Sequence, residues 1–514
     1  MSACFGQPQP ANSSSRTCSI PPGATSLSDN QPTIPTPPNM KFFIQSSIGG
    51  AMRCLLAAML VFATLSAEAA VRYVRSGATG SGSGADWTNA YPALPGSLIR
   101  GDTYYVADGQ YGSYTFDDAT SGTTPITIKK ATASDHGTEV GWQSGYGDGQ
   151  AVFSGLTFTT SFYTLNGQTR NNADWTSEGA YGIDINGQIL IDAAGVNGIR
   201  ISHFSVGGTV GAVWPNVPIF AIKMTVASSP SRRDIYFGSC FMHNAEVLIH
   251  SRNNDNVTID QCQMGPSFGK EAISHQTGNG WVIRNNRFID SCVLPANEGC
   301  TAVIGMFNYT GGGDPSGCQC DNMLIYGNVF AETGKYQAVK ADAVIILNAT
   351  NNSKFYNNNI VRHQGTQSGA IRLINGNGNE IKNNLWYWVG DYDGSSGGVL
   401  AATANSVQNN WCFYANPKPA RAGYDCSAIG GTRYLGTENP FVNEAAGDYS
   451  LKANFSGVSP RNLGLDLGAP FNIDMNGRAR GADGGWDIGA LELDGSGAGG
   501  VVNVPAPTGL RVVN

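Results

Sequence analysis

Charge is what this chain has least of. Asp, Glu, Lys and Arg make up 13% of its 514 residues, about half the ~25% of an average soluble domain. The 31 Lys and Arg stand against 38 Asp and Glu, a net charge of −7. No basic run is present, so the electrostatic footprint of a nucleic-acid binder is missing. The paired CxxC spacing of a structural zinc site is also absent, as are a P-loop and an HExxH helix. The apolar run Cys54–Leu65 falls short of the ~20 residues that span a bilayer.

Glycine is what the chain has in excess, 67 residues, nearly twice the usual share of about 7%. With hydrophobic residues at 41%, the chain can build a large core and is no disordered tail. Scarce charge with abundant Gly, Asn and Thr suits short strands joined by tight turns, not helix bundles.

Residues 1–39 are rich in Pro, Ser and Gln and read as an extension outside the folded protein. Residues 40–69 have the order of a secretory signal: Met40-Lys41 and Arg53, the run Cys54–Leu65, then Ala67-Glu68-Ala69 as an A-x-A cleavage pattern. This predicts export, extracellular or periplasmic, with no stable membrane insertion afterwards. Cleavage after Ala69 removes three cations, two carboxylates and Cys4, Cys18 and Cys54, leaving a net −8 and eight cysteines. An even count in an exported chain permits disulfides. Cys412–Cys426 is a local candidate, and Cys292 or Cys300 can pair with Cys318 or Cys320.

An internal repeat then sets the architecture. An apolar residue, two positions, Asn, one position and another apolar residue recur at Ile283–Asn286–Phe288, Ile325–Asn328–Phe330, Phe355–Asn358–Ile360, Ile381–Asn384–Trp386 and Val407–Asn410–Cys412. Two earlier copies carry Cys240 and Cys262 in place of Asn. The spacing of 22 to 42 residues is one solenoid coil per repeat. Equivalent Asn residues stacked ~4.8 Å apart can bond amide to amide, and Cys240 and Cys262 can continue the ladder as small buried residues or as a disulfide. A second strand follows each Asn segment, at 245–250, 271–275, 302–307, 343–347, 369–374 and 398–402. Two strands per coil give an all-β parallel β-helix over 196–493. Residues 70–195 read as an N-terminal cap with early coils, and 494–514 as a Gly/Pro/Val-rich linker.

The Asn ladder, the opening Tyr73-Val74-Arg75-Ser76-Gly77 and the closing Asp487-Ile488-Gly489-Ala490-Leu491-Glu492 resemble the right-handed parallel β-helix, pectin-lyase-like superfamily. That resemblance implies polysaccharide lyases, glycoside hydrolases, uronate epimerases or tailspikes. The rung Glu271-Ala272-Ile273-Ser274-His275-Gln276-Thr277 is similar to the calcium-and-lysine rung of alginate and chondroitin-B lyases. The resemblance implies a Ca²⁺ ligand at Glu271. Gln276 occupies the place of that family's Lys, and the arginine of the next coil is missing from 301–307.

Counting from the ladder places Glu246 over Glu271 and His250 over His275, two Glu-x-x-x-His rungs on one strand face. Lys223 faces the same way one coil earlier and Arg372 several coils later. Three uses are open: Glu246 and Glu271 holding Ca²⁺, His250 or His275 moving a proton beside Lys223, or the two Glu acting as the acid and base of a glycosidase. Gln276, Trp388 and Tyr392 are candidates for binding sugar. The expected function is an exported, monomeric lyase cleaving an acidic polysaccharide by β-elimination. The alternatives are a glycoside hydrolase using paired carboxylates and a non-catalytic glycan-binding solenoid.

Overall fold

The computed structural model describes residues 69–493 except 210, 213–214, 226–233, 270, 292, 294–301, 307–319, 332–342, 349, 366–370, 375, 388, 392–405 and 414–431. The fold is the expected right-handed parallel β-helix, the hand that parallel crossovers almost always take. Three parallel sheets form its sides among the described residues. Face 1 has twelve strands, from Val71–Val74 to Ser406–Gln408. Face 2 has twelve, from Gly109–Tyr111 to Arg433–Gly436. Face 3 has nine, from Tyr114–Phe116 to Ile371–Ile374.

Each coil therefore carries three strands, where two were expected from the repeat. The extra strand comes from a sharp bend inside each Asn segment. Ser239, Gln261, Asn285, Asn357, Asn383 and Asn409, each just before a ladder residue, have φ between 49° and 57°. A left-handed residue turns the chain in one step, and Asn tolerates that conformation better than most side chains. Val282–Arg284 thus lies on face 1 and Arg287–Ile289 on face 2, with Asn286 at the corner.

The ladder itself is as expected. The Oδ1 of Asn328 accepts the Asn286 backbone N–H at 3.0 Å and its Nδ2 at 3.1 Å. The same pair of bonds joins Asn328 to Asn358, Asn358 to Asn384 and Asn384 to Asn410, all between 2.9 and 3.1 Å. Each Nδ2 also donates to a carbonyl of the preceding coil, such as Ile259 for Asn286. All five are buried, so the network leaves no amide unpaired where that would cost most. Cys240 and Cys262 continue the row but as free, buried thiols, not as the disulfide considered above. Cys320 is buried, and Cys292, Cys300 and Cys318 of the expected pairing lie outside the described residues. Cys412 is in a disulfide; its expected partner Cys426 lies outside the described residues.

A second ladder runs along the corner that leads into face 1. Asp255 Oδ1 accepts from Asn279 N–H at 3.0 Å, Asn279 from Asp321 at 2.9 Å, Asp321 from Asn351 at 2.9 Å and Asn351 from Asn377 at 2.9 Å. Its rungs are 24, 42, 30 and 26 residues apart, the same steps as the first.

Inward residues of all three faces share one core, for example Ile283, Phe288 and Ile304 in successive strands. Face 1 and face 2 are covered over their later coils by the C-terminal segment. Phe471 packs edge-on against Tyr326 and Tyr356 of face 1, with ring centroids 4.9 and 4.8 Å apart. Met475, Ile488 and Ala490 close over Leu385, Tyr387 and Trp411 of face 2. The Asp-Ile-Gly-Ala-x-Glu motif anchors this segment around Arg480. That guanidinium donates to the carbonyls of Gly489 and Ala490 at 3.0 and 3.1 Å and pairs with Glu492 at 3.3 Å.

Candidate functional site

Face 3 carries the row that the sequence singled out. Strand pairing aligns Leu190, Lys223, His250, Ser274, Gly305, Ile346 and Arg372 in one register. Their neighbours Ile222, Ile249 and Ile273 are fully buried, so alternation turns Lys223, His250 and Ser274 outward. Lys223, His250 and Arg372 thus share a row as expected. Arg372 stands four rungs beyond His250, roughly 19 Å at 4.8 Å per rung.

Three expectations fail because the two rungs were aligned one residue out. His250 and Ser274 each stand 12 residues before their ladder positions, Cys262 and Asn286. His250 therefore pairs with Ser274, and Ser251, not His250, lies over His275. His275 points into the solenoid, fully buried. Its ring is 4.2 Å from that of Trp281, with Nδ1 3.1 Å from Ser251 Oγ and Nε2 3.3 Å from the Gly278 carbonyl. Burial lowers its pKa to about 3, so it is a neutral core histidine with no route to a substrate.

Glu246 and Glu271 also fail to stack. Ala245 pairs with Ser267 and Ile249 with Ile273, and a Cβ on Gly269 would lie 2.2 Å from the Glu246 carbonyl oxygen. The backbone beside Glu246 is thus that of Gly269. Glu271 is buried, with 9% of its surface exposed, whereas Glu246 is half-buried. Among the described residues no group of three or more His, Cys, Asp or Glu is placed to hold a metal ion. The expected Ca²⁺ pair does not fit. Gln276 is half-buried, one outward position beyond Ser274. Trp388 and Tyr392 lie outside the described residues.

What remains is a compact set. The Lys223 ammonium lies 3.3 Å from Asp192 Oδ2, each side chain about one-third exposed (34% and 38%). Asp192 is held in turn by the Thr225 N–H at 3.2 Å. The His250 ring stacks on Phe220, centroids 4.6 Å apart and planes 13° from parallel. Burial, and then the charge of Lys223, push the His250 pKa below its ordinary 6.5, while Asp192 pulls the other way. A neutral, oriented imidazole beside an accessible ammonium can take a proton from a bound molecule and stabilise the negative charge left behind. Asp192 and Phe220 were not identified from sequence. An odd step of three from Lys223 puts Phe220 on the inward side by alternation, and Asp192 lies in a loop whose position depends on the fold.

No protein-family model and no curated protein matches the chain. Solved structures do. A PL6 family alginate lyase, AlyGC, matches at 15% identity, covering 66% of this chain and 48% of that one, with a TM-score of 0.34. A point mutant of the same enzyme gives 14% identity, 80% and 58% coverage and 0.35. XylC, in complex with xylose, gives 9% identity, 82% and 98% coverage and 0.33. The chain spans about half the length of the alginate lyase chains.

Proposed function

We propose that this protein is an exported polysaccharide lyase that binds an acidic polysaccharide along face 3 and cleaves it by β-elimination at His250. The observation that carries the reading is the in-register row of Lys223, His250 and Ser274, with His250 kept neutral. In this scheme His250 removes the proton on the carbon next to the uronate carboxylate. Lys223 neutralises the negative charge that moves onto that carboxylate. The glycosidic C–O bond on the adjacent carbon breaks, a C=C bond forms, and the leaving oxygen takes up a proton. Arg372, four rungs along, would receive a carboxylate further along the polymer.

The hydrolase alternative needs Glu246 and Glu271 facing one another across a bond, and their offset register disfavours it. The test is incubation of the mature protein with alginate, polygalacturonate and chondroitin sulfate, with and without EDTA. Unsaturated products that disappear in His250→Ala support the reading. New reducing ends without unsaturation would replace it with hydrolysis, and EDTA-sensitive cleavage would restore a metal.

A further inference from the structure

A second constellation lies on a different face. Residues 167–182 form an insertion between face 1 and face 2, closed by a bridge between Arg170 and Tyr181 and an Asn171 N–H to Ala180 carbonyl bond of 2.8 Å. Gln150 Nε2 ties it down by donating to the carbonyls of Glu178 and Tyr181 at 2.7 and 2.8 Å. The insertion carries Trp175, whose indole N–H donates to the Asn172 carbonyl at 3.1 Å and whose own carbonyl accepts the Tyr181 hydroxyl at 2.9 Å. The indole is therefore fixed.

Two arginines meet this one ring. The guanidinium carbon of Arg170 is 3.9 Å from its centroid and that of Arg287 is 4.4 Å away. Neither forms an ion pair among the described residues. Arg170 donates only to neutral acceptors, Asn172 Oδ1 at 2.9 Å and the Gln261 carbonyl at 2.6 Å. The Arg287 guanidinium has no hydrogen-bond partner among them. Asp260 and Asp448 act on the two arginines only through space, and Asp260 pairs with Arg284 at 2.7 Å. Burial and mutual repulsion lower the pKa of Arg287. In an acidic chain, two half-buried like charges held together without a counter-ion are costly unless an anion joins them. Arg287 is in register on face 2 with Gln263 and Phe241, both buried.

We propose that Arg170, Trp175 and Arg287 form an accessory site for the carboxylate of a uronic-acid saccharide, separate from the His250 face. Two guanidinium forks suit a planar carboxylate, and the anchored insertion presents them preorganised. The sugar part of this assignment rests on the acidic-polysaccharide reading, whereas the carboxylate part rests on the arginines alone.

The test is calorimetric titration of full-length His250→Ala protein with trigalacturonate, using xylotriose as the neutral control. His250→Ala prevents turnover but leaves this face untouched. Adding Arg287→Gln or Arg170→Gln should weaken one trigalacturonate binding event at least tenfold, with no effect on xylotriose. Arg287→Lys, which keeps the charge but loses the fork, should weaken it as well and covers the case of a glutamine variant that does not fold. An unchanged isotherm in folded Arg287→Gln or Arg287→Lys overturns the site and leaves a structural clamp. Arginine-dependent binding, with no unsaturated product from the parent protein carrying His250, would retain this site while overturning the lyase reading.

Discussion

At the scale of the residue, each histidine titrates according to what surrounds it. His203 and His243 are pushed to about 4 and His275 to about 3, each chiefly by burial. A histidine whose folded pKa lies below the unfolded 6.5 contributes stability that is complete above 6.5 and is lost as pH falls toward the folded value. For His275 this amounts to about 3 kcal/mol between pH 6.5 and pH 4. Raised carboxylates such as Asp184 and Asp474 act in the opposite sense, so the comparison must be made against a variant. His275→Asn should lose less stability than the parent between pH 7 and pH 4 in thermal melts. Parallel losses in the two proteins would contradict its placement. For His250 the prediction concerns rate: kcat/KM should fall on the acid side through a pKa below 6.5, and an acid limb above 6.5 would argue against a depressed imidazole.

Individual residues also show where sequence reading succeeded. Asn286, Asn328, Asn358, Asn384 and Asn410 were legible because a ladder repeats its own identity at every coil. Lys223 was legible as outward because Ile222 and Met224 flank it. His275 was misread because the two rungs were aligned one residue out, and a one-residue slip reverses inside and outside. The second ladder was missed although its steps match the first, because Asp and Asn alternate in it with no fixed apolar flank.

At the scale of the element, the two ladders and the C-terminal segment replace the missing charge. Asn358→Leu leaves the Asn328 N–H and Nδ2 without their acceptor and should cost about 2–4 kcal/mol, read as a shifted denaturation midpoint. A change below about 0.5 kcal/mol would contradict a continuous network. The closing segment depends on one cation in the same way. Arg480→Ala removes the donors to Gly489 and Ala490 and strands buried Glu492, so a loss of about 3–5 kcal/mol is expected. Exposure of Phe471 and Trp486, seen as a red-shifted tryptophan emission, would report that the segment lifts from face 1. The closing motif drew attention in the sequence as a family feature. Its physical role is this anchor, which no spacing rule indicates.

At the scale of the whole molecule, the faces divide the work. Face 1 and face 2 are sealed over their later coils by the C-terminal segment, and the His250 row stands on face 3. The architecture was readable because a solenoid writes one unit many times. The site was only partly readable, since it depends on which coils stack in which register, and register is set by bends, bulges and insertions between repeats. The measurement that tests the central claim most directly is the absorbance of unsaturated uronate during incubation of parent, Lys223→Met and His250→Ala proteins with polygalacturonate and alginate. The account predicts product formation by the parent on one of these polymers, a loss of at least 100-fold in His250→Ala, as expected when a general base is removed, and a weaker loss in Lys223→Met. Unsaturated product formed at the parental rate by His250→Ala would contradict it.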